Sequence, residues 1–233
     1  MRWSDQGLPP LAIFDRPVGA SNLWLTPRRS PCGSTSMPKK PPALICHPLT
    51  PDRWADFEAL FGERGACGGC WCTFWRRPRS EYERNKGPGN RRFMLKVVES
   101  GPPPGILGYL DGEPVGWCAV ASRDHYPALE RSRILKPIDD TPVWSISCLF
   151  VRKDQRKKGL SIRLLKAAVD HVKRQGGAVV EGYPVEPKSE NLPDPFVWHG
   201  LASAFRKAGF RECARRSETR PIMRYHIRGR RMS

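Results

Sequence analysis

The sequence predicts an α/β fold in which a mixed β-sheet is flanked by about four helices. Two observations lead to this prediction. Short runs rich in β-branched and aromatic residues recur along the chain, with helical patterns between several of them. In addition, residues 143–185 have the order strand, amphipathic helix, strand, which needs a crossover connection. The expected strands are 43–47, 106–110, 115–121, 143–151, 178–185, 211–217 and 221–227.

The strand, helix, strand unit is the most strongly patterned part of the chain. Residues 143–151 carry almost no charge, as is typical of a strand that is buried on both faces. From Leu160 to Val172, apolar residues recur in steps of three and four, which predicts an amphipathic helix. Gly176 and Gly177 are expected to end this helix before the second strand begins.

A basic turn of sequence Arg-Lys-Lys-Gly-Leu-Ser, residues 156–161, joins the first strand to the helix. The first NH groups of a helix lack intrahelical partners and carry a partial positive charge, so this end suits a pyrophosphate. Gly159 has no Cβ to hinder the phosphate oxygens, and Ser161 is small. By themselves these six residues also fit an ordinary basic loop before a helix.

The spacing of this turn resembles the acyl-CoA loop of the Gcn5-related N-acetyltransferase (GNAT) family, Arg/Gln-x-x-Gly-x-Gly/Ala, and differs from it by Ser161 in the last place. Residues 205–210, FRKAGF, resemble the last helix and turn of the same family. The resemblance covers roughly residues 44–227. It implies a GNAT-like, mostly antiparallel twisted sheet of about six or seven strands with a splayed central strand pair.

The same resemblance implies that acetyl-CoA is the cosubstrate. Its diphosphate is expected at the basic turn, and its pantetheine arm along the backbone of the first core strand. The residues concerned are Arg156, Lys157, Lys158, Gly159, Leu160 and Ser161 in the turn, and Leu149, Phe150 and Val151 in the strand.

The implied activity is that of an acyltransferase, which moves the acetyl group of acetyl-CoA to a primary amine of a small molecule by direct attack. Two alternatives stay open at this point. One is a protein or tRNA acetyltransferase of the same fold. The other is a non-catalytic module that binds CoA or nucleic acid.

An attacking amine must be neutral, so a base is expected near the acetyl group. Glu181 and Tyr183 lie two residues apart on the second core strand, hence on one face, and both are predicted to be catalytic. A single Glu on a strand also commonly pairs with an arginine. Many family members carry a Tyr where this chain has Phe205. Tyr183 or His199 could replace that proton donor, or the thiolate could leave unprotonated.

A cysteine-rich segment, Cys67-Gly-Gly-Cys-Trp-Cys72, follows the first helix. Its thiols could bind zinc with His47 or Cys46 as a fourth ligand, act as a redox dithiol, or pack as small apolar groups. Because the ligand set is lopsided, no metal is expected. The corresponding segment of the family commonly lines the acceptor pocket. The substrate-binding residues predicted on this basis are Trp71, Phe74 and Trp75, with core packing as the alternative.

The composition favours anionic partners. The formal net charge is +17 over 233 residues, with a pI of about 10. Nucleic acid is left open as a partner but is not favoured, because no aromatic platform or zinc-finger spacing accompanies the charge. No membrane-spanning run or signal peptide is apparent, which predicts a soluble cytoplasmic protein with reduced cysteines, either a monomer or a homodimer.

The sequence divides into three predicted regions. Residues 1–42 are rich in Pro, Ser and Arg and are expected to be a disordered extension, or to precede a natural start at Met37. Residues 43–228 are expected to form one N-acetyltransferase domain. Residues 229–233 are expected to be a basic tail.

Overall fold

The computed structural model describes residues 42–188 and 198–227. The strands in this part of the chain are β1 (Ile45–Pro48), β2 (Gly105–Leu110), β3 (Glu113–Ser122), β4 (Trp144–Val151), β5 (Val179–Gly182), β6 (Arg211–Arg215) and β7 (Pro221–His226). They form one seven-stranded sheet in the order β1-β2-β3-β4-β5-β7-β6. Only β4 and β5 pair in parallel. The mixed, mostly antiparallel sheet predicted from the sequence is therefore confirmed.

The helices flank this sheet. They are α1 (Trp54–Phe61), α2 (Arg79–Arg84), α3 (Pro88–Ser100), α4 (Pro127–Glu130), α5 (Leu160–Arg174) and α6 (Ala202–Ala208). Helix α5 is the predicted crossover helix between β4 and β5. It ends where Gly176 adopts a positive φ of 79°. Within the described part of the chain, no helix has the length and apolar character needed to cross a membrane.

Two of the three apolar clusters in the described part of the chain lie on opposite faces of the sheet, because successive strand residues point in opposite directions. On one face, Cys118 and Val120 of β3 pack with Leu164 of α5. On the other, Trp117 and Ala119 pack with α1 and α3, where the Phe57 and Trp117 rings meet edge to face. Burial on both faces explains why β3 and β4 are almost free of charge.

The parallel strands β4 and β5 separate soon after they begin to pair. Their register runs only from Trp144 opposite Val180 to Ile146 opposite Gly182. Strand β5 is shorter than predicted, because Pro184 follows shortly after its end and cannot donate a ladder hydrogen bond. Beyond the last pair, β4 has an edge that β5 does not cover. This splayed pair is the feature that the family resemblance implied.

The chain between β5 and α6 differs from the sequence-based expectation. The sequence pattern predicts the last helix over residues 196–208, whereas α6 begins at Ala202 and residues 198–201 are not helical. Gly200 has a φ of 80°, and Leu201 is extended and forms a bridge with Val185. Residues 196 and 197, the predicted extension up to residue 41, and the predicted tail lie outside the described residues.

Candidate active site

The basic turn before α5 leaves the NH groups of residues 157–161 available. Gly159 takes the left-handed conformation, with φ 75° and ψ 6°, and Lys157 also has a positive φ of 62°. Among the described residues, no acceptor is bonded to the NH groups of residues 157–161. A Cβ on Gly159 would meet no atom within 4 Å, so the approach to these groups is open. Five backbone donors at a helix N-terminus fit a diphosphate.

The uncovered edge of β4 is partly occupied by the chain itself. The Leu149 NH donates to the Trp198 carbonyl at 2.7 Å, and the Val151 carbonyl accepts from Arg156 Nε at 3.0 Å. Phe150 lies opposite Trp117 in the β3–β4 pair. A pantetheine arm on this edge would therefore replace the Trp198 carbonyl at Leu149. The turn fits the diphosphate as it stands, and the strand edge fits the arm after that exchange.

A cavity of about 210 Å³ opens beside this edge, between β4 and the chain that connects α1 to α3. Ser147, Cys148 and Phe150 form its β4 side. Six aromatic residues line it: Phe61, Phe74, Trp75, Tyr82, Phe150 and Trp198. The cavity is thus a largely apolar chamber with the splayed strand β4 as one side.

Four cysteines also line the cavity: Cys67, Cys70, Cys72 and Cys148. Burial raises the pKa of Cys70 to about 11, which keeps it a neutral thiol. A hydrogen bond from Cys148 lowers the pKa of Cys72, whose sulfur also accepts from Trp117 Nε1 at 3.2 Å. Over residues 42–188 and 198–227, no three His, Cys, Asp or Glu side chains come together as a metal site.

The mouth of the cavity is charged. Arg79, Glu83 and Lys86 line it, with 70%, 36% and 47% of their side chains exposed. Arg79 pairs with Glu83 at 2.6 Å, and Lys86 pairs with the same carboxylate. These contacts, Lys86 first, lower the pKa of Glu83. One negative and two positive groups leave the mouth with a net positive charge.

Two of the three predicted substrate-binding residues line the cavity. Phe74 and Trp75 contact each other edge to face in its wall. Trp71 does not line it, because the ring is buried between Trp54 and Phe61 in the α1 core. Trp71 therefore packs in the core, which was the alternative to substrate binding for all three aromatic residues.

Both predicted catalytic residues lie away from the cavity, in a buried polar network. Glu181 is 1% exposed and receives hydrogen bonds from Arg123 at 3.0 Å and Arg224 at 2.7 Å. The Tyr183 hydroxyl is within 2.8 Å of both Glu181 and Ser145. A carboxylate held by two guanidinium groups and closed to solvent is poorly placed to accept a substrate proton. For Glu181 this geometry favours the arginine-pairing alternative over the predicted catalytic role.

His199, the other candidate proton donor, is also buried. Its Nε2 accepts from Trp75 Nε1 at 2.9 Å, and its Nδ1 lies 2.9 Å from Arg220 Nη1. Burial, and then the Arg220 charge, hold the pKa of His199 well below 6.5. At neutral pH the imidazole is therefore unprotonated and has no second proton to donate. Phe205, at the place of the family tyrosine, is fully buried against Gly182.

The buried histidines predict a loss of stability in mild acid. Burial also lowers the pKa of His171, so both rings bind protons more tightly in the unfolded chain than in the folded one. The free energy of unfolding should fall as pH drops below about 6.5, by up to ~1.4 kcal/mol per pH unit for each ring. Urea unfolding at pH 7.5, 6.5 and 5.5 measures this slope. His199→Gln should reduce it, and an unchanged slope in that variant would contradict the assignment.

Comparison with known proteins identifies the family. The family model described as Acetyltransferase (GNAT) family matches residues 70–187, which is just over half of the chain. The chain belongs to the GNAT family of acetyltransferases. The match includes most of the residues that line the cavity, the splayed strand pair and the basic turn. No curated protein matches this acetyltransferase.

Several solved structures are similar to it at low sequence identity. PaiA N-acetyltransferase from Thermoplasma acidophilum, in complex with coenzyme A, is 14% identical with a TM-score of 0.45, over 79% of this chain and 99% of its own. A GNAT acetyltransferase from Streptococcus agalactiae is 14% identical with a TM-score of 0.49, over 80% and 96%. Aminoglycoside acetyltransferase AAC(6')-Ib, in complex with coenzyme A, is 17% identical with a TM-score of 0.44, over 79% and 95%.

As a GNAT acetyltransferase, the protein uses acetyl-CoA as its acetyl donor. The basic turn, on which the resemblance to this family was based, lies beside the splayed strand pair, as expected. Several residues that line the cavity were not predicted from the sequence: Phe61, Tyr82, Cys148 and Trp198. Phe150 was predicted for the pantetheine-binding strand but not as part of the cavity lining. These residues are far apart in sequence, and only the packing of the connecting chain against β4 brings them together.

Proposed function

We propose that this acetyltransferase transfers the acetyl group of acetyl-CoA to a primary amine of a small molecule by direct attack of that amine. The observation that supports this proposal is the aromatic cavity of about 210 Å³ that Ser147 and Cys148 of β4 line on one side. A walled chamber of this size suits a small body better than a folded protein surface. In the proposal, residues 156–161 hold the diphosphate, and residues 149–151 face the pantetheine arm.

The cavity residues have three tasks in this reaction. When bound, acetyl-CoA supplies the acetyl group as an activated thioester. The aromatic wall strips water from the entering amine, and this desolvation favours the neutral form that can attack. Phe74 and Trp75 orient the body of the acceptor, and Ser147 and Cys148 mark the side to which its nitrogen must point. Glu83, the one carboxylate that lines the cavity among the described residues, lies exposed at the mouth and could pass on to solvent a proton that reaches it through water.

We further propose that the enzyme works in the cytoplasm, as a monomer or a homodimer. Thiols in an oxidising compartment tend to pair, whereas Cys46, Cys67, Cys70, Cys72, Cys118, Cys148 and Cys213 are all free in the described part of the chain.

An acetyl-transfer assay tests the proposal. Purified protein is incubated with acetyl-CoA and a panel of small primary amines, and release of the CoA thiol is followed together with the mass of each product. We expect at least one amine to gain 42 mass units, as acetyl replaces hydrogen, and acetyl-CoA to raise the melting temperature by mass action. Acetylation of peptides or charged tRNA, with no small amine accepted, would favour the protein or tRNA alternative. Stabilisation by CoA without any transfer would favour a non-catalytic module.

A further inference from the structure

We infer that the acceptor is an aryl-alkyl amine with an anionic group at the end opposite to the amine. The inference rests on the proposed function and specifies its substrate class. It depends on a second recess that lies next to the cavity. This recess has a volume of about 280 Å³ and shares Phe74, Trp75 and Arg79 with the cavity wall.

The cavity itself selects a flat, apolar body. Its aromatic rings present faces and edges without charge, and burial raises the pKa of Tyr82 to about 12, so the phenol stays neutral. Its volume is below the ~300 Å³ at which pockets for drug-sized ligands begin, which favours a body of about one ring and a short chain. Aromatic walls of this kind bind an aryl group by offset stacking and edge contacts.

The adjoining recess selects a negative charge. Three arginines line it, Arg77, Arg79 and Arg131, and none of the described carboxylates does. Arg77 and Arg79 also pair with Glu81 and Glu83, whereas Arg131 is exposed and forms no ion pair with a described residue. Guanidinium groups bind carboxylates through paired, charge-assisted hydrogen bonds. The recess thus provides hydrogen-bond donors to an anion. The side chains of the described residues do not fully neutralise the positive charge of these donors.

The same charges disfavour a polycationic acceptor. Glu83 is the one carboxylate that lines either space among the described residues, and Arg79 and Lys86 already hold it. An amine whose far end carries a second positive charge would meet arginines without a compensating acid. Selection against that class therefore comes from repulsion as well as from the lack of a partner.

The order of these parts fixes the orientation of the acceptor. Ser147 and Cys148, on the splayed strand, line the cavity and not the recess, so the reactive nitrogen points to that side. Phe74 and Trp75 line both spaces, and Arg131 lines the recess alone. A linear molecule with amine, aryl ring and anion in sequence satisfies all three.

Three matched amines test this inference. They are 2-phenylethylamine, 4-(2-aminoethyl)benzoate and 4-(2-aminoethyl)benzamidine, which share one body and differ in the charge at the far end. We expect the benzoate to have a kcat/KM about tenfold above the neutral amine, as one charge-assisted contact provides, and the benzamidine to fall below the neutral amine. Arg131→Ala should remove most of the benzoate preference and leave 2-phenylethylamine unchanged. Arg174→Ala removes the same charge from α5, on the other face of the sheet, and serves as the control. It should change neither the benzoate preference nor the activity with 2-phenylethylamine.

Binding of the same compounds is measured by calorimetry in the presence of CoA, so that the test does not depend on turnover. Tighter binding of the benzoate, lost in Arg131→Ala and kept in Arg174→Ala, supports the inference. Equal binding of all three compounds, or equal losses in the two variants, overturns it. So does a peptide with an apolar first residue that is acetylated more efficiently than the benzoate. If another small amine is acetylated and none of the three aryl amines is, the inference is wrong and the proposed function stands.

Discussion

Ser161→Glu is expected to weaken acetyl-CoA binding by about 100-fold or more while leaving the fold intact. The substitution places a carboxylate in the first turn of α5, among the NH groups of residues 157–161 that lack acceptors in the described chain. This carboxylate competes with and repels the diphosphate, and two like charges about 5 Å apart at an effective dielectric of about 20 cost roughly 3 kcal/mol. Calorimetry with acetyl-CoA measures the loss.

The melting temperature of the same variant is the first control for this prediction. A negative charge near a helix N-terminus is favourable, by about 0.3–1 kcal/mol, so Ser161→Glu should melt at the same temperature as the natural protein or slightly higher. Ser161→Ala keeps the site small and uncharged and should bind acetyl-CoA nearly as well as the natural protein. If Ser161→Glu bound acetyl-CoA normally, the diphosphate would have to lie elsewhere.

Glu181→Ala is expected to destabilise the fold by about 3–5 kcal/mol, because it leaves Arg123 and Arg224 buried without their shared carboxylate. The network extends to Asp139, which pairs with Arg224 at 2.6 Å and whose pKa lies well below its usual value mainly because of that contact. It joins β5 and β7 to the chain before β4. Urea unfolding at neutral pH measures the effect. Glu212→Ala, which removes exposed ion pairs on β6, is the comparison and should cost far less.

A second substitution at Glu181 distinguishes a structural role of this residue from a catalytic one. Glu181→Gln keeps the shape of the side chain and part of its hydrogen bonding, and should remain folded at low temperature. We expect its kcat, measured well below its melting temperature, to stay within a few-fold of the natural enzyme. A loss of more than about 100-fold in kcat, with stability retained, would restore Glu181 as the base.

Strands and helices were predictable where the pattern depends on local chemistry. The charge-free run of β4, the amphipathic spacing of α5, and the Asp111-Gly112 turn between β2 and β3 each specify their element without help from distant residues. The basic turn belongs to the same class. Its Gly159 and its place before a helix are enough to predict an anion site, whatever the rest of the chain does.

The acceptor side was less predictable, because its geometry depends on long-range packing. Glu181 and Tyr183 share a strand face, as alternation requires, but the sequence does not show that Arg123 and Arg224 converge on that face. Cys72 reaches the cavity with Cys148 because Trp71 and Cys72 both adopt positive φ, at 44° and 58°. L-residues rarely take this conformation, so no local rule predicts it.

Trp198 connects the two halves of the site. Its carbonyl occupies the Leu149 NH on the donor side, and its indole lines the acceptor cavity. We expect a pantetheine arm that displaces the carbonyl to shift this part of the cavity wall as well. Occupancy of one side should then change the affinity of the other, and by thermodynamic reciprocity the acceptor should change the affinity for acetyl-CoA by the same factor. Cooperativity between the two substrates is therefore expected to act through this residue.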